Sequence, residues 1–317
     1  MKRIFCIGEL LIDFVGENQG SDLSLASVFT KKAGGAPANV ACAIARLGGA
    51  SSFIGCVGRD PFGRFLENVL AENRVDTAFL EQSATFTTLA FVSLADDGER
   101  DFVFSRGADR ELVYRPDIRK QFRGNIVHLG AATALLGGPL ESAYSHYFFD
   151  ALTEGAYISF DPNFRHDLWK ERESDFIKKC RPFIEKANLC KFSLEEARLL
   201  SGCDDLEAAC SALHAIGAEV IVVTLGGDGT YLSTASGRST VPSIRVKPVD
   251  TTGAGDAFIG CLLWQLSGEA DPGSLAADPD RLADMVRKAN AAGALTTTRF
   301  GAIESLPDQA VLNQALA

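Results

Sequence analysis

The chain reads as an α/β fold with a mostly parallel central sheet and a smaller β-sheet beside it, and three observations predict this. Short runs rich in Val, Ile and Phe alternate with longer helical stretches, as in residues 4–7, 38–47, 52–57 and 62–73, the pattern of repeated strand–helix–strand units. Two stretches break that rhythm: residues 11–15 and 25–32, and residues 85–94 and 100–105, are strand-like with no helix between them. The second pair flanks Ala95-Asp96-Asp97-Gly98-Glu99, a hairpin turn signal. Finally, 317 residues with 46% hydrophobic and 23% charged side chains suffice for a large soluble core plus an appendage.

Taken in order, residues 4–7 form a first strand: Lys2 and Arg3 precede an apolar run that Glu9 and Asp13 interrupt too early for a secretion signal. Ala36-Pro37 opens an Ala-rich helix that Gly48-Gly49 ends, and Asp60-Pro61 opens the next, Asp as cap and Pro in the first turn. Further strands are expected at 125–129, 156–160, 188–192 and 219–225, each followed by loop-forming residues, with helices in the gaps. The core then comprises residues 1–10, 34–84 and 110–317, and the small sheet about 11–33 and 85–109. No period of 20 to 50 residues repeats.

Thirty-one basic against forty-one acidic side chains give a net charge of -10, and no five-residue basic run exists. Nucleic acid is therefore a poor partner, although backbone N–H groups can still hold a small anion. The longest strongly apolar helical stretch, residues 257–266, is about half of the roughly 20 residues a membrane span needs, so no membrane partner is expected. Eight cysteines without a C-x-x-C pair read as reduced core residues of a cytoplasmic protein. Four histidines lack metal-ligand spacing, and H-E-x-x-H, G-x-S-x-G and the P-loop signature are missing, which argues against zinc hydrolysis, serine hydrolysis and P-loop nucleotide binding. No G-x-G-x-x-G opens the first helix, against a dinucleotide oxidoreductase.

The most informative segment is Asp250-Thr251-Thr252-Gly253-Ala254-Gly255-Asp256, followed by an apolar helix. Small residues at a helix N-terminus let successive N–H groups point at one oxygen, an anion hole formed by Gly253, Ala254 and Gly255. Asp256, in the first turn, is expected to be held ionised by the helix dipole and can accept a hydroxyl proton. Taken bare, the same residues are equally an ordinary glycine-rich turn with an N-terminal Asp. A second segment, Gly34-Gly35-Ala36-Pro37-Ala38-Asn39, allows close backbone approach to a ligand, and Asn39 offers a polyol both donor and acceptor. Asp13 is a carboxylate in an apolar setting that a sugar diol would satisfy, or else a cap or ion-pair partner.

These two segments, together with Ala45-Arg46-Leu47-Gly48, Gly55-Cys56-Val57-Gly58-Arg59-Asp60-Pro61-Phe62-Gly63 and Asp161-Pro162-Asn163-Phe164-Arg165, resemble the ribokinase-like (PfkB) carbohydrate kinases in order and separation, over nearly the whole chain. Among members the sequence is most similar to bacterial fructokinases. The resemblance implies a Rossmann-like three-layer core, a β-sheet lid and a homodimer formed through it. It also implies transfer of the ATP γ-phosphate to a sugar hydroxyl, with Asp256 as base and D-fructose as the favoured substrate. By the same match Asp13, Gly34, Gly35 and Asn39 hold the sugar, with Arg106 and Arg165 as further candidates because a guanidinium offers several donors; either arginine taken alone is equally a surface salt-bridge partner. Val223-Thr224-Leu225-Gly226-Gly227-Asp228-Gly229 resembles the nucleotide loop, placing Thr224, Gly226 and Gly229 there, and Asn290 falls at the adenine pocket. That glycine cluster is otherwise a plain hairpin turn.

One departure is informative. Where members often have Asn-x-x-Glu, this chain has Ser193-Leu194-Glu195-Glu196. Glu196 would organise Mg2+ through its waters, or else is a solvated helix residue, while Lys191 and Ser193 approach the ATP phosphates. Asp250, Thr252, Thr296, Arg299, Gly301 and Ser305 match a K+ site that several members carry. The rivals are 2-keto-3-deoxygluconate kinase, in which Arg165 faces a carboxylate, and a catalytically silent sugar-binding regulator on the same fold.

Overall fold

The computed structural model describes residues 1–16, 23–94 and 100–317, without the side chains of residues 94 and 100–102. Its strands are β1 (Ile4–Ile7), β2 (Leu11–Gly16), β3 (Phe29–Gly34), β4 (Ser51–Gly58), β5 (Asp76–Ser83), β6 (Leu89–Leu94), β7 (Arg100–Ser105), β8 (Ile126–Leu129), β9 (Tyr157–Phe160), β10 (Leu189–Ser193), β11 (Val220–Thr224), β12 (Thr230–Ser233) and β13 (Arg238–Val241). The helices are α1 (Ala36–Arg46), α2 (Pro61–Glu72), α3 (Gly138–Glu154), α4 (His166–Trp169), α5 (Glu173–Lys186), α6 (Leu194–Ser201), α7 (Leu206–Ile216), α8 (Ala254–Ser267), α9 (Pro279–Thr296), α10 (Ala302–Ser305) and α11 (Gln309–Leu316).

Among the described residues, nine strands form one sheet in the order β13-β12-β11-β10-β9-β8-β1-β4-β5. It is parallel from β5 to β11, and β12 and β13 add an antiparallel edge. Sequence periodicity does not announce that edge, because both strands are only four residues long. Every residue of β1, β4, β8 and β9 is buried, as expected of a sheet covered on both faces. The pleat of β1 divides the core: Ile4 and Cys6 face a cluster with α1, α8 and α9, while Phe5 and Ile7 face another with α3, α5 and α7. Helix α8 is apolar almost all round because it lies between α1 and α9. Gly260 permits its close approach to α1, since a Cβ there would fall 2.6 Å from the Cβ of Ala43.

Four strands make a second sheet, β3-β2-β6-β7. Its second half begins at Leu89 and not at residue 85 because the preceding threonines are committed elsewhere. Thr87 donates through its N–H and hydroxyl to the Asp60 carboxylate at 2.8 and 2.9 Å, and the Thr88 hydroxyl is bonded to Asp109. In the first half, residues 23–25 form a 3-10 turn and β3 starts only at Phe29. The turn signal at residues 95–99 lies outside the described residues.

Four phenylalanines, 86, 91, 102 and 104, are natural candidates for one apolar face of this sheet, and the pleat corrects that grouping. Phe91 pairs with Val103 and Phe104 with Ala90, so the two rings point to opposite faces. Phe91 stacks on Phe14 with centroids 5.5 Å apart. Phe86 precedes β6 and packs edge-on against Phe62. The Phe102 side chain is outside the described residues.

Candidate active site

A cavity of about 420 Å³ opens between the C-terminal ends of the core strands, the first turns of α1 and α8, and the second sheet. The core contributes Glu9, Asn163, Arg165, Lys191, Ser193 and Glu196, the second sheet Leu11, Asp13 and Phe104, and the helix starts Gly35, Asn39, Gly253, Gly255 and Asp256. This is the crevice outside the carboxyl ends of the strands where open α/β sheets bind ligands.

The turn before α8 is built by Gly253, the N-cap, whose φ of 75° is left-handed and whose added Cβ would lie 2.7 Å from that of Ala302. Ala254 donates its N–H back to the Thr251 carbonyl at 3.3 Å. The expected run of three donors is thereby shortened: among the described residues, no acceptor takes the N–H groups of Gly255 and Asp256, which face the cavity end of the helix dipole. Asp256 is buried and accepts a hydrogen bond from Asn39 Nδ2 at 2.8 Å. Burial pushes its carboxyl above the ordinary range, against Asn39, Lys191 and Arg165, which pull it down. Desolvation thus acts against the dipole, which favours the ionised form.

On the side of the second sheet, Asp13 sits on β2 and lines the cavity. Gly34 does not line it. A Cβ at residue 34 would lie 2.1 Å from Asp13 Oδ2, so this glycine clears space for the carboxylate. Gly35, at φ 108°, caps α1 and passes so close to Glu9 that a Cβ would lie 2.4 Å from the Glu9 carbonyl. Arg165 reaches the cavity with its guanidinium tethered to the Phe164 carbonyl at 2.9 Å and Asn163 Oδ1 at 3.2 Å. Arg106 is not among the lining residues. Its guanidinium pairs at 3.0 Å with Asp109, a buried carboxylate that also bonds Thr88, so it fastens the base of β7.

Lys191 and Ser193 stand at the end of β10. Lys191 Nζ pairs with Asp161 Oδ2 at 2.9 Å. Burial alone would lower its basicity, but the carboxylates of Asp161, Glu196 and Asp256 hold the ammonium above its ordinary range. Ser193 caps α6 in a reciprocal box: its hydroxyl accepts from Glu196 N, and Glu196 Oε2 accepts from Ser193 N at 2.7 Å. Glu196 Oε1 accepts from Phe164 N at 2.7 Å, leaving one lone pair on each oxygen.

Thr224, Gly226, Gly229 and Asn290 form a separate group outside the cavity lining. Thr224 ends β11 opposite Ser193, and Gly226 and Gly229 bracket the 3-10 turn that joins β11 to β12 as an antiparallel hairpin. The Asn290 amide is engaged within the protein, accepting from Thr230 Oγ1 at 2.6 Å and donating to the Val241 carbonyl at 2.9 Å, which shapes that hairpin. In the remaining group, the Asp250 carboxylate clamps two loops together: Oδ1 accepts from Thr252 N at 2.9 Å and Oδ2 from Gly301 N at 2.9 Å. Thr296 and Ser305 turn their hydroxyls onto the Ala292 and Phe300 carbonyls, and Arg299 is exposed. Among the described residues no cluster of three or more His, Cys, Asp or Glu side chains suits a metal ion, and no helix is long and apolar enough to cross a membrane.

Sequence reasoning misses Glu9, which it treats only as a break in an apolar run. Glu9 is 2% exposed and accepts from Ala36 N at 3.3 Å, Ala132 N at 3.2 Å and the Thr133 hydroxyl at 3.3 Å, tying β1 to the start of α1 and the loop after β8. Its proximity in sequence to Asp13, two carboxylates in one apolar stretch, is the signal that marks it.

Against known proteins, the family profile described as pfkB family carbohydrate kinase matches residues 1–309. Probable fructokinase-4 of Arabidopsis thaliana is 40% identical over 322 residues, covering 99% of this chain and 96% of that protein. The crystal structure of fructokinase from Vibrio cholerae O395 with fructose, ADP and calcium ion bound superposes with a TM-score of 0.86 at 34% identity, over 100% of this chain and 99% of that one. Its double mutant with fructose, ADP and potassium ion bound gives 0.87 at 34% identity, with the same coverage. Aminoimidazole riboside kinase from Salmonella enterica, complexed with aminoimidazole riboside and an ATP analog, gives 0.84 at 30% identity, over 99% of this chain and 100% of that one.

Proposed function

The chain belongs to the pfkB family of carbohydrate kinases, and from that membership we propose that it transfers the γ-phosphate of ATP to a hydroxyl of D-fructose, giving fructose 6-phosphate. The observation that carries the proposal is Asp256: a buried carboxylate in the cavity, in the first turn of α8, beside backbone N–H groups that have no acceptor among the described residues. A protein that only bound sugar would have no use for a base beside an anion hole.

Asp13, Gly35, Asn39 and Arg165 hold the sugar from the second sheet and the strand ends. Asp256 Oδ1, the oxygen not engaged by Asn39, takes the proton of the attacking hydroxyl. The N–H groups of Gly255 and Asp256 and the Lys191 ammonium face the charge that spreads over the transferring phosphoryl oxygens, which is how proteins assist a reaction that depends mostly on alignment and electrostatics. The nucleotide lies over Ser193, Thr224 and the Gly226 to Gly229 turn, the shape of which Asn290 maintains. Mg2+, when bound with ATP, neutralises phosphate charge. Glu196 fits as its outer-sphere anchor, since each of its oxygens keeps one lone pair for a water. K+ binds among the carbonyls around Asp250, Thr252, Thr296 and Gly301, a reading supported by the Asp250 clamp and by the potassium in the Vibrio cholerae double mutant. The second sheet acts as a lid that excludes water from the phosphoryl group and as the contact surface of a homodimer. The free thiols fit a cytoplasmic enzyme.

The test is ADP release across fructose, 2-keto-3-deoxygluconate, ribose and aminoimidazole riboside. Fructose should give the highest kcat/KM; a higher value for any of the others reassigns the substrate, and no sugar-dependent release with any of them removes the kinase reading.

A further inference from the structure

Asp161 opens the Asp-Pro-Asn-Phe-Arg stretch, lies outside the cavity lining and has no solvent exposure. Its place is fixed by the sheet: its N–H continues the parallel ladder to the Leu129 carbonyl at 3.0 Å, and Phe160 pairs with Cys190, so residues 161 and 191 are neighbours at adjacent strand ends. Oδ1 receives a long bond from Asn163 N at 3.4 Å. Oδ2 faces Lys191 Nζ at 2.9 Å and has no other hydrogen-bond partner among the described residues.

The other end of the pair reaches the chemistry. The Lys191 side chain is 8% exposed and lines the cavity. Its Nζ lies 3.2 Å from where a Cβ on Gly255 would be, directly under the α8 turn. The groups around the ammonium are the carboxylates of Asp161, Glu196 and Asp256, and His128 on β8, which burial keeps neutral. Glu196 is already committed to two backbone N–H groups and Asp256 to Asn39. Among the described residues, Asp161 Oδ2 has the lysine as its one partner.

We propose that Asp161 is a positioning residue for phosphoryl transfer, holding the Lys191 ammonium beneath the N-terminus of α8 so that the ammonium and the Gly255 and Asp256 N–H groups converge on one phosphoryl group. A lysine is a point charge on a flexible four-carbon stem. A fixed counter-charge aims it before substrate arrives, so no reorganisation is needed during the reaction. Stability alone is a weak reason to keep such a pair, because well-packed apolar residues often do as well as a buried ion pair. The inference rests on the kinase reading above.

The experiment is a double-mutant cycle with Asp161→Asn and Lys191→Met, reading kcat, the KM for fructose and the affinity for the non-hydrolysable analogue AMP-PNP with Mg2+. Asp161→Asn should lower kcat about 100-fold, the low end of the loss from removing one oxyanion donor, with the fructose KM changed less than twofold. The double variant should be no slower than Lys191→Met alone. Losses that multiply, or a fructose KM that rises in step with the loss of kcat, would overturn the proposal. Should Asp161→Asn not fold, the 15Nζ resonance of Lys191 in the unmutated chain decides. It should be visible at neutral pH as a protected ammonium and shift with AMP-PNP but not with fructose, and a freely exchanging signal overturns the pairing. Absence of any phosphate transfer by the unmutated chain would defeat the kinase reading instead, and the resonance would still report on the pair.

Discussion

Asp256 owes its chemistry to where it is buried. Because desolvation raises its carboxyl pKa above the ordinary range, the base should be lost by protonation as pH falls, and at a higher pH than an exposed aspartate would allow. The acid limb of the kcat/KM profile should report this, and Asn39→Ala should move that limb further up, since Asn39 is a group that pulls the pKa down. An unmoved limb in a folded variant would separate Asn39 from the base. His128 makes the opposite case. Burial and nearby Lys191 push its imidazole down to about 3 from 6.5, and its Nε2 has no partner among the described residues. The unfolded chain therefore takes up a proton that the folded chain refuses, so stability falls as pH drops below about 6.5, by up to about 1.4 kcal/mol per unit. Denaturant unfolding between pH 7 and 5 should show a shallower slope for His128→Asn; an equal slope would mean that His128 is not the group responsible. These residues also mark what a sequence can disclose. The glycine-rich turn and Asp256 stand in one contiguous segment whose chemistry is local. Glu9 is marked in the chain only as a second carboxylate near Asp13, and its partners, like that of Asp161, are acquired only when β1 meets α1 and β9 meets β10.

Elements rather than residues decide how the cavity is shaped. The parallel core was readable because each strand–helix unit carries its own signals: Asp60 caps α2 with bonds of 2.9 Å to Phe62 N and Gly63 N, as Asp-Pro predicts. The second sheet was readable as extra strands but not in its facing, because the face a strand presents depends on register, and a shift by one residue exchanges the two faces. That is why Phe91 and Phe104 part company, while Arg106, just beyond β7, is engaged by Asp109 three residues on, a pairing that strand patterning does not disclose. The junction of β3 with α1 offers a direct test of shape. Gly34→Ala would put a Cβ 2.1 Å from Asp13 Oδ2, and because misplacement of a binding group by about 1 Å can cost about 100-fold, kcat/KM for fructose should fall by that order while the ATP KM stays level. Steady-state kinetics at saturating partner substrate would show it, and a normal fructose KM would detach Asp13 from the sugar.

At the scale of the whole molecule, the small sheet leaves apolar surface outside the core: Val103 is 56% exposed and Phe86 52%. Two copies of that surface can meet across a two-fold axis, each covering the other's strands. Sedimentation at micromolar concentration should therefore give a dimer that Val103→Asp converts to monomer, whereas a monomeric unmutated chain would leave the second sheet as a lid alone. The residues around the cavity between the two sheets converge on one reaction, tested by ADP release with D-fructose and Mg2+ATP, unmutated chain against Asp256→Asn. Turnover should depend on fructose and fall by about two to four powers of ten in the variant, the usual loss for a positioned base, with AMP-PNP and fructose affinities within a few-fold. A folded Asp256→Asn enzyme that still turns over at close to the full rate would contradict the role of Asp256 as the base.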